Sequence, residues 1–123
     1  MEHQDGMPNV IRVLQMAQRV SQFWHWKVKS FAMHMALGEL YEKLRAFADE
    51  LAEMYIGAHG DFELPLSDPN AFSEQDPLEF ITQLYTVLAQ LETTFPQEGF
   101  LVNKYQELQG EVARVKYKLE NLK

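Results

Sequence analysis

The chain has 123 residues, 46% of them hydrophobic and 24% charged, with no Cys and a formal net charge of −7. A chain of that length can bury its own core, so one domain over residues 1–123 is expected. The missing Cys exclude disulfides, thiolate zinc sites and Cys nucleophiles, and agree with a reducing compartment. The negative balance speaks against DNA and against anionic membranes as partners, and no apolar run approaches the ~20 residues of a membrane span. Met1-Glu2-His3-Gln4-Asp5 has no basic run leading into an apolar core, so the expected location is the cytoplasm, or a virion assembled there.

From Pro8 the residues Val10, Val13, Leu14, Ala17, Val20 and Trp24 recur at helical steps, predicting a first helix over 8–27. Proline suits its first turn, where a missing N–H costs nothing. A second helix over 31–56 is read from Ala32, Met35, Leu37, Leu40, Leu44, Phe47, Leu51 and Tyr55, with Gly57 and Gly60 as its stop. The break between the two carries no Pro or Gly. Residues 57–75 lose the periodicity and gain turn residues, which predicts a long connection.

Asp76-Pro77-Leu78-Glu79 then starts a third helix over 76–95, with Asp76 as cap, Pro77 in the first turn and Glu79 three residues on. A fourth over 98–122 carries the seam Leu101, Tyr105, Leu108, Val112, Val115, Leu119 and Leu122, which reads first as a packed core stripe. Short breaks predict two antiparallel hairpins. Nineteen residues between them reach roughly 60 Å when extended, against about 39 Å for the second helix. The expectation is therefore an all-α, antiparallel four-helix bundle with a long crossover between the second and third helices, the ferritin-like arrangement.

Four side chains could carry chemistry: His25, His34, Asp49 and Glu53. All can ligate iron or zinc, and Asp49 and Glu53 share a helix face at i, i+4. An acidic pair of that kind is most often a solvated surface. The run His25-Trp26-Lys27-Val28-Lys29-Ser30-Phe31-Ala32-Met33-His34, followed by Leu40-Tyr41-Glu42 and Ala48-Asp49-Glu50-Leu51-Ala52-Glu53, nevertheless resembles the signature of the Dps group of ferritin-like proteins. The resemblance implies that His25, His34, Asp49 and Glu53 are ferroxidase ligands lying at a dimer interface. It also implies Fe(II) oxidation by peroxide or oxygen, for iron storage or detoxification, and a hollow dodecamer. The stretch between the two His is three residues shorter than in that group, and Met54 stands where the group often has Arg.

Helix geometry adds its own constraint. His25 and His34 are nine residues apart and would sit on opposite faces of one helix, so a turn must lie between them for the imidazoles to meet. His34 and Asp49 are fifteen apart, about 22 Å along an axis, and cannot hold one ion. A second copy with its helix antiparallel across a two-fold axis brings the ligands together, which makes a homodimer the minimum assembly. Two imidazoles and two carboxylates suit Fe(II) and Fe(III), and by ligand identity admit zinc or manganese as well. Trp24 and Trp26 flank His25; packing explains both, and the resemblance would make a nearby Trp a trap for oxidising equivalents. His3 and His59 read as surface residues. The alternative function is a non-catalytic helical interaction protein, such as a phage accessory or virion component, that has kept the bundle and lost the metal.

Overall fold

The structure, a computed structural model, describes residues 6–64 and 76–121. Four α-helices pack against one another: α1 (Met7–Lys27), α2 (Phe31–His59), α3 (Pro77–Leu91) and α4 (Gly99–Asn121), with a single 3₁₀ turn, Glu92–Thr94, after α3. His3, residues 65–75 of the expected connection and Leu122 of the expected seam lie outside the described residues. None of the described helices is long and apolar enough to cross a membrane.

Local chemistry accounts for most helix ends. Pro8 sits in the first turn of α1, as the sequence predicts. Asp76 accepts the Glu79 N–H at 2.8 Å while the Glu79 carboxylate accepts the Asp76 N–H, the reciprocal cap expected at α3. The second helix runs to His59, three residues beyond its predicted end. Gly57 is carried inside it, and Gly60, at φ 92°, takes the left-handed conformation that stops it. The third helix ends at Leu91 because the chain tightens into the 3₁₀ turn before reaching Phe95 and Pro96.

Directions follow from contacts at the two ends. The Gly6 N–H donates to the Thr94 carbonyl at 2.7 Å, so α1 starts where α3 ends and the two run antiparallel. Pairs Glu39–Lys118, Lys43–Glu111, Glu50–Lys104 and His59–Glu98 step in opposite senses along α2 and α4, which are likewise antiparallel. With α1 against α2 and α3 against α4 as hairpins, α2 and α3 run in the same direction, and α3 begins at the end opposite to that where α2 finishes.

The core fills the space between. Leu14, Leu37, Leu40, Leu44, Leu51, Phe80, Ile81, Leu84 and Leu88 are fully buried, and the described part of the predicted α4 seam, Leu101 to Leu119, is buried throughout. Each large aliphatic side chain contributes about 1.5–3 kcal/mol on burial. Tyr105 also packs here, donating its hydroxyl to the Leu88 carbonyl at 2.5 Å and joining α4 to α3. Met35, read from the sequence as part of the apolar stripe of α2, is 53% exposed, because it points to the side of α2 that no other helix covers.

Candidate functional site: a paired histidine clasp and an unpaired acidic pair

The α1–α2 turn is only Val28, Lys29 and Ser30. The Val28 N–H closes α1 on the Trp24 carbonyl, and the Ser30 side chain accepts the Met33 N–H at 3.2 Å as the cap of α2. This turn folds α2 back on α1 and sets His25 and His34 face to face, with ring centroids 3.8 Å apart and planes 18° from parallel.

Each ring is held by the other residue's backbone. His25 Nδ1 donates to the His34 carbonyl at 2.7 Å, and His34 Nδ1 donates to the His25 carbonyl at 2.8 Å. A carbonyl oxygen can only accept, so both Nδ1 atoms carry a proton, and in the neutral imidazole each Nε2 keeps its lone pair. That is the tautomer of a metal-ligating histidine whose second nitrogen is tied to a backbone carbonyl. Tyr41 meets the His25 ring edge-on at 5.4 Å, and Phe31 lies 6.3 Å from the His34 ring.

Stacking also limits what the pair can do. An ion about 2 Å from one nitrogen, in the plane of its ring, lies well off the plane of a ring stacked 3.8 Å away. The two imidazoles in this arrangement suit two neighbouring ions rather than a shared one.

Gly38 completes the clasp, and the helical pattern gave no reason to single it out. A Cβ on it would lie 2.8 Å from His25 Cε1 and 3.0 Å from His25 Nδ1, so α2 admits the His25 ring only because no side chain is there. The available signal was a glycine in mid-helix, which costs about 1 kcal/mol relative to Ala and so asks for a packing reason.

Asp49 and Glu53 lie on the same unbroken α2, about 22 Å and more from His34 along the axis. Both are exposed. The other carboxylates of α2 are paired: Glu39 with Lys118 at 3.4 Å, Glu42 with Arg45 at 3.4 Å and Glu50 with Lys104 at 3.0 Å. Among the described residues no cation pairs with Asp49 or Glu53, because the lysines of α4 reach only the side of α2 that faces them. Consistent with this separation, no three His, Asp or Glu side chains converge as a metal-holding group among the described residues.

The two tryptophans part company. Trp24 packs against the core, whereas Trp26 is 67% exposed, so burial within the chain explains only the first. His59 is more engaged than a bare surface residue: its Nε2 meets Glu98 Oε2 at 2.9 Å and its ring stacks on Tyr55 at 4.6 Å, closing the end of α2 against the start of α4.

A family model matches residues 25–119, a span that takes in the histidine pair, Gly38 and the acidic pair. The chain belongs to this family, DUF5856, a family of unknown function. No curated protein and no solved structure matches the chain.

Proposed function

We propose that the chain is a ferritin-like, Dps-like iron-binding protein that oxidises Fe(II) at sites shared between two subunits. In this reading His25 and His34 of one copy and Asp49 and Glu53 of another are the ligands, and iron is the substrate. The observation that carries it is the pair of backbone-tied Nδ1 atoms, which leaves both Nε2 lone pairs as donors at one end of α2. Two further features support it. The like-charged Asp49 and Glu53 stand without a cation of their own chain, and α2 and α3 run in the same direction, as the ferritin-like crossover requires.

Imidazole nitrogen holds Fe(II) well, and hard carboxylate oxygens hold the Fe(III) formed when one electron per ion passes to peroxide or oxygen. Zn(II) or Mn(II) could occupy the same donors. The stack of His25 on His34 favours two ions per site over one. Beyond the dimer, a dodecamer follows from the Dps resemblance, as does a cytoplasmic location.

The test is an anaerobic Fe(II) titration followed by air, with ferric absorbance as the readout. The parent protein is expected to oxidise iron rapidly, and Asp49→Ala with Glu53→Ala to lose that oxidation. Equal rates for parent and double variant would refute the reading. A second reading has one observation in its favour: the reciprocal hydrogen bonds give both imidazoles a purely structural task, closing the α1–α2 turn. A non-catalytic helical interaction protein, of the phage accessory or virion kind, would keep that clasp and bind no iron.

A further inference from the structure

Charge is distributed along the chain with an asymmetry that the net value conceals. From residue 6 to residue 38 there are Arg12, Arg19, Lys27 and Lys29 and not one carboxylate; from 46 to 98 there are eleven carboxylates and not one Lys or Arg. Helix α2 bridges the two regions. Lys27 and Lys29 stand at its N-terminal mouth, Glu42 and Arg45 near its middle, and Asp49 and Glu53 toward its far end. Cations at a helix N-terminus and acids toward its C-terminus both oppose the macrodipole. Within one chain Lys27, in the last turn of α1, favours the macrodipole of that helix, but Asp49 and Glu53 have no such compensation.

The uncovered face of α2 follows the same plan. At about 100° per residue, Phe31, Met35, Glu42, Asp49, Glu53 and Ile56 fall within about 60° of one another. All six are exposed, Phe31 at 74%, Met35 at 53% and Ile56 at 43%. The stripe is thus apolar beside a basic mouth at its start, carries Glu42 at its centre with Arg45 along its edge, and is acidic and then apolar at its end.

A stripe with this order complements its own antiparallel copy. We propose that the occupant of the uncovered α2 face is a second copy of this chain, paired about a two-fold axis between residues 43 and 44. This register sets Glu42 of each copy level with Arg45 of the other, Phe31 level with Ile56, and His34 level with Glu53. Opposite charges meet at the centre, the basic mouth of each helix meets the acidic end of its neighbour, and exposed aromatic meets exposed aliphatic at both ends. Such a contact is isologous and closes at two subunits. The pairing is argued from charge and apolarity and stands without iron, whereas the shared iron site rests on it.

The absence of Cys makes the register directly testable. Phe31 and Ile56 are twenty-five residues apart on one helix, about 37 Å, so Phe31→Cys with Ile56→Cys cannot bridge within a chain. Under mild oxidation the double variant is expected to form a covalent dimer, and neither single variant to do so. In the Cys-free chain, light scattering across roughly 1–100 μM should show a dimer. Glu42→Arg should weaken that dimer at least about tenfold, and adding Arg45→Glu should restore it. A helix that merely lost its internal Glu42–Arg45 pair would change stability and not molecular mass.

A parent chain that stays monomeric over that range, with or without Fe(II), overturns the pairing, as does a dimer that fails to link through positions 31 and 56. A linked dimer that does not oxidise Fe(II) upholds the pairing and removes only the iron reading. Iron oxidation by a strictly monomeric chain removes the pairing and with it the site shared between subunits, leaving the oxidation to a site within one chain.

Discussion

Replacing Gly38 by Ala sets two opposing effects against each other on one helix. An Ala in a helix interior is worth about 1 kcal/mol over Gly. At Gly110, in α4, an added Cβ meets nothing within 4 Å, so Gly110→Ala should be stabilised by about that amount, roughly 3–5 °C in Tm for a domain of this size. At Gly38 the same Cβ stands 2.8 Å from His25 Cε1, and the ring must retreat by several tenths of an ångström to reach ordinary contact. That retreat stretches the 2.7 Å bond from His25 Nδ1 to the His34 carbonyl, worth about 1 kcal/mol, and loosens a stack worth about 0.5–1.5 kcal/mol. Gain and loss nearly cancel or leave a net loss, so Gly38→Ala should lie roughly 1–2 kcal/mol below Gly110→Ala. Urea unfolding of both variants gives the difference, and ¹⁵N resonances of the imidazoles report whether each Nδ1 still holds its proton. If Gly38→Ala gains as much as Gly110→Ala and the imidazole signals do not move, the clasp is not where this geometry puts it.

Asp49→Asn should raise stability by about 0.2–0.5 kcal/mol, because it removes an i, i+4 like-charge pair with no compensating cation, while it weakens iron binding; thermal unfolding with and without Fe(II) separates the two. Asp76→Ala should cost about 1 kcal/mol by exposing the first turn of α3, read by chemical unfolding. Tyr105→Phe should cost about 1 kcal/mol at neutral pH, since the Leu88 carbonyl keeps the Glu92 N–H as a partner. Burial, and secondarily the Glu92 charge, push the Tyr105 phenol far above its usual range, and the hydrogen bonds that Lys104 donates to Glu50 and Glu107 raise Lys104. Both groups therefore hold their protons more tightly folded than unfolded. Their stabilisation is complete below about pH 10 and is lost as pH rises through the folded values, so Tyr105→Phe should flatten the alkaline fall of a stability profile measured above about pH 10.

The fold was legible because the forces that make it are periodic. Leu101 to Leu119 and Leu37 to Leu51 repeat at helical steps, and Asp76-Pro77-Leu78-Glu79 is a cap that works through contacts within four residues. The end of α2 was less legible, because Gly57 and Gly60 are chemically alike and only the backbone turn at Gly60 tells which one stops the helix. At the site, spacing required a turn between His25 and His34, and the turn is there. Nothing in the spacing foretold that each imidazole would bond to the other's carbonyl, since that depends on how closely α1 approaches α2. Gly38 escaped the pattern for the same reason: a residue whose contribution is the absence of a side chain leaves no periodic trace.

What remains is a set of features on α2 that local physics disfavours. A glycine sits in mid-helix, two carboxylates repel at i, i+4, and Phe31, Met35 and Ile56 are bare to water. Each costs from a few tenths to about 1 kcal/mol in an isolated chain. Some of these features recur elsewhere, since Phe23, Trp26, Tyr85, Phe100 and Tyr117 are also exposed on the other helices and Gly110 sits inside α4. Among the described residues α2 alone joins an acidic i, i+4 pair without a cation to bare apolar groups on one uncovered face, and that combination is what a surface shaped for a partner looks like. An antiparallel copy of α2 relieves the charges and the bare apolar groups together, and metal ions between the imidazoles of one chain and the carboxylates of the other would turn the repulsion of Asp49 and Glu53 into ligation.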